Sequence, residues 1–263
     1  MATYDVGNRS AIVTGGGSGI GEASAIVLAA SGAAVLVVDL NEEHAQNVAD
    51  KIPADGGVAT ALAGDVSDEA FAQVMVDEAG KLGPLKIAVN NAGIGGPLVQ
   101  VADLSTDAWR KVIAVNLDAV FYGMRVQIPA MIAAGGGAII NMSSLAAVVG
   151  ISQTILEAQH FFPCASYGVA KAGIEAFTRY IAALGASHNI RVNCVRPGQI
   201  LTPRLTTESG GHRVGAILNQ VQLIKGPGAA ADVANAVLFL ASDEARFITA
   251  EVMNIDGGAA AKL

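Results

Sequence analysis

Short apolar runs recur along the chain and alternate with longer stretches that mix apolar and polar residues. The runs have the length of buried strands, and the stretches between them are long enough for helices. This alternation predicts an α/β fold with a doubly wound parallel sheet of about seven strands and helices on both faces. The strands are expected near Ala11, Val35, Val58, Ile87, Ile139, Val192 and Val252. The helices are expected near Ala25, Glu43, Ala70, Val112, Ile174 and Val237.

The first strand leads into a glycine-rich turn. Its apolar residues, 10–14, are followed by glycines within 15–21, a helical stretch from Glu22 to about Ser31, and a second strand that ends at Asp39. This order is typical of a Rossmann-like βαβ unit that binds a dinucleotide. Glycines allow the backbone to approach the pyrophosphate, and the helix N-terminus supplies free N–H groups. A flexible surface turn is the structural alternative.

Asp39 bears on the choice of cofactor. A carboxylate at the end of the second strand can accept hydrogen bonds from the ribose hydroxyls of NAD, and it would repel the 2′-phosphate of NADP. No arginine stands at Ser18, Leu40 or Asn41 to attract that phosphate. We therefore expect NAD, although an aspartate here could also simply form a turn.

Tyr167 and Lys171 stand four positions apart in a helical stretch. The two side chains then share one helix face, although surface pairs often have this spacing too. An ammonium beside a phenol favours the phenolate and lowers its pKa. A tyrosine in this setting can give or take a proton at a carbon–oxygen bond.

With these residues in view, the chain resembles the short-chain dehydrogenases/reductases over nearly its whole length. The ordered motifs that carry the resemblance are Thr14-Gly15-x-x-x-Gly19-x-Gly21, Asp65-Val66, Asn90-Asn91-Ala92-Gly93, Asn116, Asn141-Met142-Ser143-Ser144, Tyr167-x-x-x-Lys171, the run 196–202 and Asp256-Gly257-Gly258. The resemblance implies four catalytic residues: Asn116, Ser144, Tyr167 and Lys171. It implies cofactor contacts from Gly15, Ser18, Gly19, Ile20, Gly21, Asp39, Leu40, Asp65, Val66, Asn91, Ala92, Gly93, Tyr167, Lys171, Pro197, Gly198, Ile200 and Thr202.

The resemblance also implies a reaction, the NAD-dependent interconversion of a secondary alcohol and a ketone. Tyr167 would be the general acid or base and Ser144 would hold the substrate oxygen. Lys171 would bind the nicotinamide ribose and lower the pKa of the phenol, and Asn116 would position a water that links Lys171 to solvent. A dehydratase or epimerase that retains NAD, and a non-catalytic NAD sensor, are the alternatives on this fold.

Two segments near the expected site stand out. Ser144 and Tyr167 are 23 residues apart, wider than is usual in the family, and the additional stretch at about 150–163 is interpreted as a loop beside the active site. The polar, glycine-containing segment at about 203–226 is interpreted as a lid over the substrate. The apolar residues around the site favour a neutral, moderately hydrophobic alcohol or ketone: Leu145, Val148, Phe161, Phe162 and Leu205.

Composition narrows the remaining possibilities. A length of 263 residues fits one α/β domain, and 52% hydrophobic residues allow a large core. The net charge of −7 and the lack of a basic patch argue against nucleic acid. Neither cysteine pairing nor histidine spacing predicts a disulfide framework or a metal site. No signal peptide or spanning segment is recognised, so a cytoplasmic protein that does not enter membranes is expected.

The resemblance further suggests a homo-oligomer, often a tetramer. Small residues line the Tyr167 helix at Ala172, Gly173 and Ala176.

Overall fold

The structure, a computed structural model, describes residues 4–150, 164–203 and 222–260. The expected active-site loop at about 150–163 and most of the expected lid at about 203–226 therefore lie outside the described residues, as do His160, Phe161, Phe162 and Leu205.

Seven parallel strands form the central sheet, as the sequence predicts. Their bounds are Ser10–Thr14 for β1, Ala34–Asp39 for β2, Val58–Ala63 for β3, Leu85–Asn90 for β4, Gly137–Met142 for β5, Ile190–Pro197 for β6 and Val252–Ile255 for β9. Their spatial order is β3-β2-β1-β4-β5-β6-β9. A separate pair of two-residue strands, β7 (Ile200–Leu201) and β8 (Gly228–Ala229), was not predicted.

Seven α-helices are found in the described ranges, one more than the sequence predicts. They are α1 (Gly19–Ala30), α2 (Glu42–Lys51), α3 (Glu69–Leu82), α4 (Thr106–Ile113), α5 (Ala119–Ala133), α6 (Ala165–Gly185) and α7 (Ala230–Ala241). Capping side chains fix three of the starts, because Asn41, Asp68 and Ser105 each accept a hydrogen bond from a first-turn N–H.

Helix α5 is the one described helix that the sequence analysis does not predict, and it contains a proline. It continues through Pro129 to Ala133. A proline inside a helix costs about 3 kcal/mol because it removes one hydrogen bond and crowds the preceding turn. Burial of Met124, Gln127 and Met131 in the α5 interface offsets that cost.

Two apolar cores cover the two faces of the sheet. Successive residues of a strand point to opposite faces, so Val13 belongs to the core that α1, α2 and α7 cover. Its neighbour Ile12 belongs to the core covered by α3, α5 and α6. Eight of the eleven residues of β1 and β2 are apolar, as expected for a sheet that is buried on both sides.

A buried polar network crosses the second core just below the carboxyl edge of the sheet. Asn90 and Gln127 bond each other through both amides, at 2.9 and 3.3 Å, and the Nδ2 of Asn90 also donates to the Oδ1 of Asn141 at 2.9 Å. The amide of Asn141 donates to Thr178 of α6 at 2.9 Å. This network links β4, β5, α5 and α6, and so fixes where the segments that leave these strands begin.

Candidate active site

The glycine turn between β1 and α1 needs glycine at defined positions. Gly15 and Gly19 have φ angles of +62° and +56°, which residues with a Cβ rarely adopt. A Cβ on Gly21 would overlap the carbonyl oxygen of Gly15. Ser18, the residue before α1, makes no side-chain capping bond to the first turn of the helix. The backbone N–H groups of that turn are therefore available to an anion, which is what a pyrophosphate needs.

Asp39 faces this turn. Its Oδ2 accepts a hydrogen bond from Gly17 N at 3.0 Å, and its Oδ1 accepts one from Asn41 N at 3.0 Å. Leu40, the next residue, is exposed. The carboxylate therefore lies where the glycine turn and the end of β2 meet, as the sequence predicts. Both the ribose-binding and the turn-forming reading of Asp39 are compatible with these contacts.

Asp65 and Val66 follow β3. The Oδ1 of Asp65 accepts hydrogen bonds from both the hydroxyl and the backbone N–H of Ser67, at 2.7 and 2.9 Å. These bonds hold the pKa of Asp65 below its usual range. Val66 borders a small cavity together with Thr14 and Ala92, at the carboxyl edge of the sheet.

The segment after β4 is fastened to the end of β1. The hydroxyl of Thr14 accepts hydrogen bonds from the backbone N–H groups of Asn91 and Ala92, at 3.0 and 3.1 Å. The side-chain amide of Asn91 donates to the carbonyls of Thr14 and Gly15, at 2.9 and 3.2 Å. The amide nitrogen of Asn91 therefore holds the glycine turn in place, a role that its motif alone did not reveal.

Asn116 lies in an irregular turn. Helix α4 passes into a π-helical turn at Ala114–Asp118, and Asn116 inside it is fully buried. Its Nδ2 donates to the carbonyls of Ile94 and Val112 at 3.0 and 2.9 Å. Its Oδ1 has no hydrogen-bond partner in the described part of the chain. A buried acceptor without a partner is costly, so a bound water or ligand group is expected beside it.

Gly93 leaves the space that this oxygen faces. A Cβ on Gly93 would lie 2.5 Å from Asn116 Oδ1 and 3.4 Å from Lys171 Nζ. Both polar atoms therefore border the same small volume. The arrangement brings together two predicted catalytic residues that are 55 positions apart in the sequence.

Tyr167 and Lys171 lie on helix α6, as predicted. Lys171 is 3% exposed, and its Nζ donates to the carbonyl of Met142 at 2.8 Å. The same Nζ lies 5.6 Å from the centre of the Tyr167 ring. The ring itself is half-buried. The ammonium is thus held near the phenol, on the side where β5 ends.

Ser144 follows β5 and begins a short 3₁₀ turn, Leu145–Ala147. Its Oγ accepts a hydrogen bond from Ala146 N at 3.2 Å. This turn packs against α6, since a Cβ on Gly168 would lie 3.1 Å from the Ala146 carbonyl oxygen. Ser144 and Tyr167 are therefore brought to neighbouring turns although they are 23 positions apart in the sequence.

The segment after β6 returns to the glycine turn. Gly198 N donates to Ile255 O at 3.0 Å, and a Cβ on Gly198 would lie 2.8 Å from the Cα of Asp256. Further along, the Thr202 side chain lies against Gly19, where a Cβ would meet Thr202 Cγ2 at 3.1 Å. Ile200 is buried in β7. The expected nicotinamide-side residues and the expected pyrophosphate turn are thus in contact.

Three residues near the site make contacts that the sequence reasoning did not identify. The buried carboxylate of Glu175 accepts two hydrogen bonds from Arg196 and one from Ser143. Glu175 stands four positions after Lys171, so its helical spacing could have placed it on the same face. Its partners are Arg196 of β6 and Ser143 just after β5, and they could not be found from any local pattern.

Both cysteines are buried and free. Cys194 lies in β6, where burial raises its pKa to about 12, so the thiol stays neutral and forms part of the core. Cys164 precedes α6, with its Sγ 3.0 Å from the hydroxyl of Ser166. Among the described residues, no group of three or more histidine, cysteine and acidic side chains could hold a metal.

A family model described as enoyl-(acyl carrier protein) reductase matches residues 15–260. The chain belongs to the short-chain dehydrogenase/reductase family. It is therefore an oxidoreductase of a family that uses nicotinamide cofactors.

Similar proteins support this membership over nearly the whole length of this chain. A cyclohexanol dehydrogenase from Acinetobacter sp. (strain SE19) is 39% identical over 256 residues, which are 97% of this chain and 96% of that protein. A solved 7α-hydroxysteroid dehydrogenase, complexed with NADH and 7-oxo glycochenodeoxycholic acid, is 33% identical with a TM-score of 0.88, covering 97% and 96% of the two chains. A solved structure from Agrobacterium tumefaciens with bound NADP is 31% identical with a TM-score of 0.86, covering 100% of both chains.

The residues present fit a nicotinamide dinucleotide. The first turn of α1 has no side-chain cap on its backbone N–H groups, and Asn116 Oδ1 and Lys171 Nζ both lie beside Gly93. The unpartnered Asn116 Oδ1 provides an acceptor for a bound group or its water. The neighbours include both NADH and NADP complexes, so the choice between the two cofactors depends on the residues of this chain.

Proposed function

We propose that this protein is an NAD-dependent dehydrogenase that interconverts a neutral, moderately hydrophobic secondary alcohol and its ketone. The observation that carries the proposal is the convergence of four side chains at the carboxyl edge of the sheet. Lys171 lies beside the Tyr167 ring, the Ser144 turn packs on the same helix, and Asn116 and Lys171 border the space next to Gly93.

The proton is handled by the chain's own residues in this scheme. During oxidation, the hydroxyl proton of the alcohol passes to the Tyr167 oxygen while the carbon–oxygen bond becomes a carbonyl. During reduction, the same oxygen returns the proton to the developing alkoxide. The Ser144 hydroxyl donates a hydrogen bond to the substrate oxygen and stabilises its charge. The cofactor, when bound, accepts or supplies the hydride.

Lys171 and Asn116 support the tyrosine. The ammonium of Lys171 favours the phenolate form of Tyr167, and its buried position keeps the charge close to the ring. The buried Oδ1 of Asn116 can accept a hydrogen bond from a water next to Gly93. Such a water would carry the proton between Lys171 and solvent, because it can bond to both side chains.

The cofactor would be held by the glycine turn, Asp39, the segments after β3 and β4, Lys171 and the 197–202 segment. We propose NAD because the Asp39 carboxylate already lies against the glycine turn through Gly17 N. A 2′-phosphate there would meet a like charge, and neither Ser18 nor Leu40 can compensate it.

The substrate proposal follows from apolar surface at the same edge of the sheet. Val148 and Val149, just after Ser144, are 44% and 37% exposed, and Leu98 and Leu201 on neighbouring segments are 47% and 51% exposed. Exposed apolar side chains beside polar catalytic groups are typical of small-molecule sites. The cyclohexanol dehydrogenase and the hydroxysteroid dehydrogenase point to alcohols on saturated rings as the first compounds to test.

The test is turnover of cyclohexanol and other secondary alcohols with NAD or NADP, followed by absorbance of the reduced cofactor. The native protein should reduce NAD in preference to NADP. Tyr167→Phe keeps the ring but lacks the hydroxyl, so kcat should fall by about 10³-fold, while the Kd for NADH should stay within about twofold of the native value.

Three results would contradict the proposal. Near-native turnover by Tyr167→Phe would remove the tyrosine from the reaction. A protein purified with NAD that converts its substrate without net NADH would instead be a dehydratase or epimerase. A protein that binds NADH but turns over none of the alcohols would favour an NAD-sensing role.

A further inference from the structure

A buried ion pair joins helix α6, which carries Tyr167 and Lys171, to strand β6. Glu175 of α6 is 4% exposed. Its Oε1 accepts a hydrogen bond from Arg196 Nε at 2.7 Å, and its Oε2 accepts one from Arg196 Nη2 at 2.6 Å. The side chains of Arg196 and Glu175 are 11% and 6% exposed. This two-bond geometry fixes both the distance and the orientation of the two groups.

The pair joins three segments that belong to the proposed site. Glu175 stands one helical turn after Lys171 and two turns after Tyr167. The Ser143 hydroxyl, next to Ser144, donates to Glu175 Oε1 at 2.7 Å, and its oxygen also lies 3.3 Å from the Lys171 carbonyl oxygen. Arg196 directly precedes Pro197 and the expected nicotinamide-side segment.

Arg196 also reaches the edge of the sheet. Its Nη1 donates to Asn254 Oδ1 of β9 at 2.8 Å. Beside it, Gly198 N donates to Ile255 O of β9, and Gly198 packs closely against Asp256. The guanidinium therefore connects the tyrosine-bearing helix with the strands from which the nicotinamide-side segment emerges.

Stability alone does not account for a pair of this kind. Taking two charges out of water costs several kcal/mol per ion, and a well-packed apolar pair of the same volume often stabilises a fold equally well. What the pair provides beyond stability is a fixed geometry between elements. A displacement of about 1 Å at reacting groups can lower a rate by about a hundredfold.

We propose that Glu175 and Arg196 are positioning residues that set the nicotinamide-side segment relative to Tyr167 and Lys171. This inference rests on the proposed function, because it assumes that residues 197–202 contact the nicotinamide half of the cofactor. The pair does not touch the adenosine half in this scheme. Its loss should therefore affect the binding of the nicotinamide ring and the rate of hydride transfer, and leave adenosine binding unchanged.

The test compares NADH with ADP-ribose, which has the same adenosine diphosphate but no nicotinamide. Calorimetry gives the Kd of each for the native protein, Arg196→Met and Glu175→Gln. We expect the Kd for NADH to rise by about tenfold in both variants, while the Kd for ADP-ribose stays within about twofold. A melting curve of each protein records the loss of stability separately.

Arg191 offers a matched control on the same strand. Its guanidinium donates to the carbonyls of Leu240 and Ser242 at the end of α7, at 2.6 and 3.0 Å. Arg191→Met removes a similar half-buried guanidinium and should also lower the melting temperature. It should leave the ratio of the two Kd values unchanged, which separates positioning from general destabilisation.

Turnover gives a second readout. In Arg196→Met, kcat should fall by about tenfold or more, and the isotope effect with an alcohol deuterated at the carbinol carbon should rise as hydride transfer becomes slower. Arg196→Lys keeps the charge but loses the forked geometry, so it should restore stability more fully than kcat. If Arg196→Met does not fold, Arg196→Lys and Glu175→Gln carry the same comparison.

An unchanged ratio of Kd values together with an unchanged isotope effect in the folded variants would overturn the inference. Failure of the proposed function would look different. The native protein would then bind neither compound, or would bind both without oxidising any alcohol, whatever the variants did.

Discussion

Asn116 illustrates how single atoms divide the work at the proposed site. Its Nδ2 is used to hold a π-helical turn against Ile94 and Val112, while its Oδ1 faces the space beside Gly93 and Lys171. The same side chain therefore stabilises an unusual backbone and presents a buried acceptor. Both uses depend on the absence of a Cβ at Gly93. Substitution of this glycine is therefore a direct test of the role of Asn116.

Gly93→Ala is expected to impair turnover without unfolding the protein. The new methyl group would lie 2.5 Å from Asn116 Oδ1, so the amide or the segment after β4 must move. We expect kcat to fall by about tenfold or more, because the proposed water position is filled. Gly95→Ala is the matched control, since a Cβ there meets nothing within 4 Å. Equal kcat values for the two variants would show that the space beside Gly93 is not used.

Asp39→Asn tests the origin of cofactor choice. The amide oxygen can still accept the hydrogen bond from Gly17 N, but the negative charge is gone. Two unit charges 4 Å apart repel by about 1 to 4 kcal/mol near a protein surface. The preference for NAD over NADP in kcat/KM should therefore decrease by about tenfold. Glu42→Gln removes an equal charge from the adjacent helix and should leave the preference as it is.

Helix α6 and strand β6 depend on each other through the Glu175–Arg196 pair. Burial disfavours the carboxylate and by itself raises the pKa of Glu175. The hydrogen bonds from Arg196 and Ser143 and the positive charges of Arg196 and Arg179 outweigh it, so the pKa lies below its ordinary value. Arg196 responds in the opposite sense, with its pKa raised chiefly by the hydrogen bonds to Glu175. The folded state thus holds this carboxylate in its charged form.

The stability contributed by Glu175 should therefore disappear in acid. A carboxyl with a lowered pKa in the folded state stabilises the protein fully above the unfolded-state pKa, near 4.5. The contribution is lost as the pH falls from there through the folded-state pKa. At pH 7, Glu175→Gln should be less stable by about 3 kcal/mol, since it leaves a buried guanidinium without its counter-charge.

Denaturant unfolding of the native protein and Glu175→Gln at several pH values between 7 and 3.5 provides the measurement. The difference in the free energy of unfolding should narrow below pH 4.5. Glu78→Gln is the control, because it removes one partner of the exposed ion pair between Glu78 and Lys81. It should change the free energy of unfolding by less than about 1 kcal/mol at pH 7. A difference that stays constant down to pH 3.5 would argue against a charged Glu175 in the native state.

The molecule as a whole presents an apolar face along α6. Val169, Ala172, Ala176 and Tyr180 follow the helical repeat and are all exposed, and Tyr180 is 66% exposed. Gly173, in contrast, packs on Leu117 of the same chain, so it contributes to the packing of the monomer.

Within the described ranges, none of the helices combines the length and apolarity needed to cross a membrane.

We propose that this face is a contact between copies of the chain in a homo-oligomer, with a tetramer as the expected form. A charge that becomes buried in a contact between apolar faces is strongly disfavoured. Tyr180→Glu should therefore shift the protein to smaller species in a sedimentation experiment. Val58→Glu changes an exposed apolar residue on β3, at the opposite end of the sheet order, and should have no such effect. A native protein that sediments as a monomer would reject the proposal.

Sequence patterns predicted the sheet, its strand positions and six of the seven described helices. Burial imposes a hydrophobic period on each element, and this period can be recognised from residues that are close together in the sequence. The glycine turn and Asp39 were recognisable for the same reason, since their spacing is local. Helix α5, the Asn91 bonds to the glycine turn and the ion pair of Glu175 with Arg196 were not predictable. Each depends on contacts between residues far apart in the chain, and such contacts exist only once the strands have taken their order in the sheet.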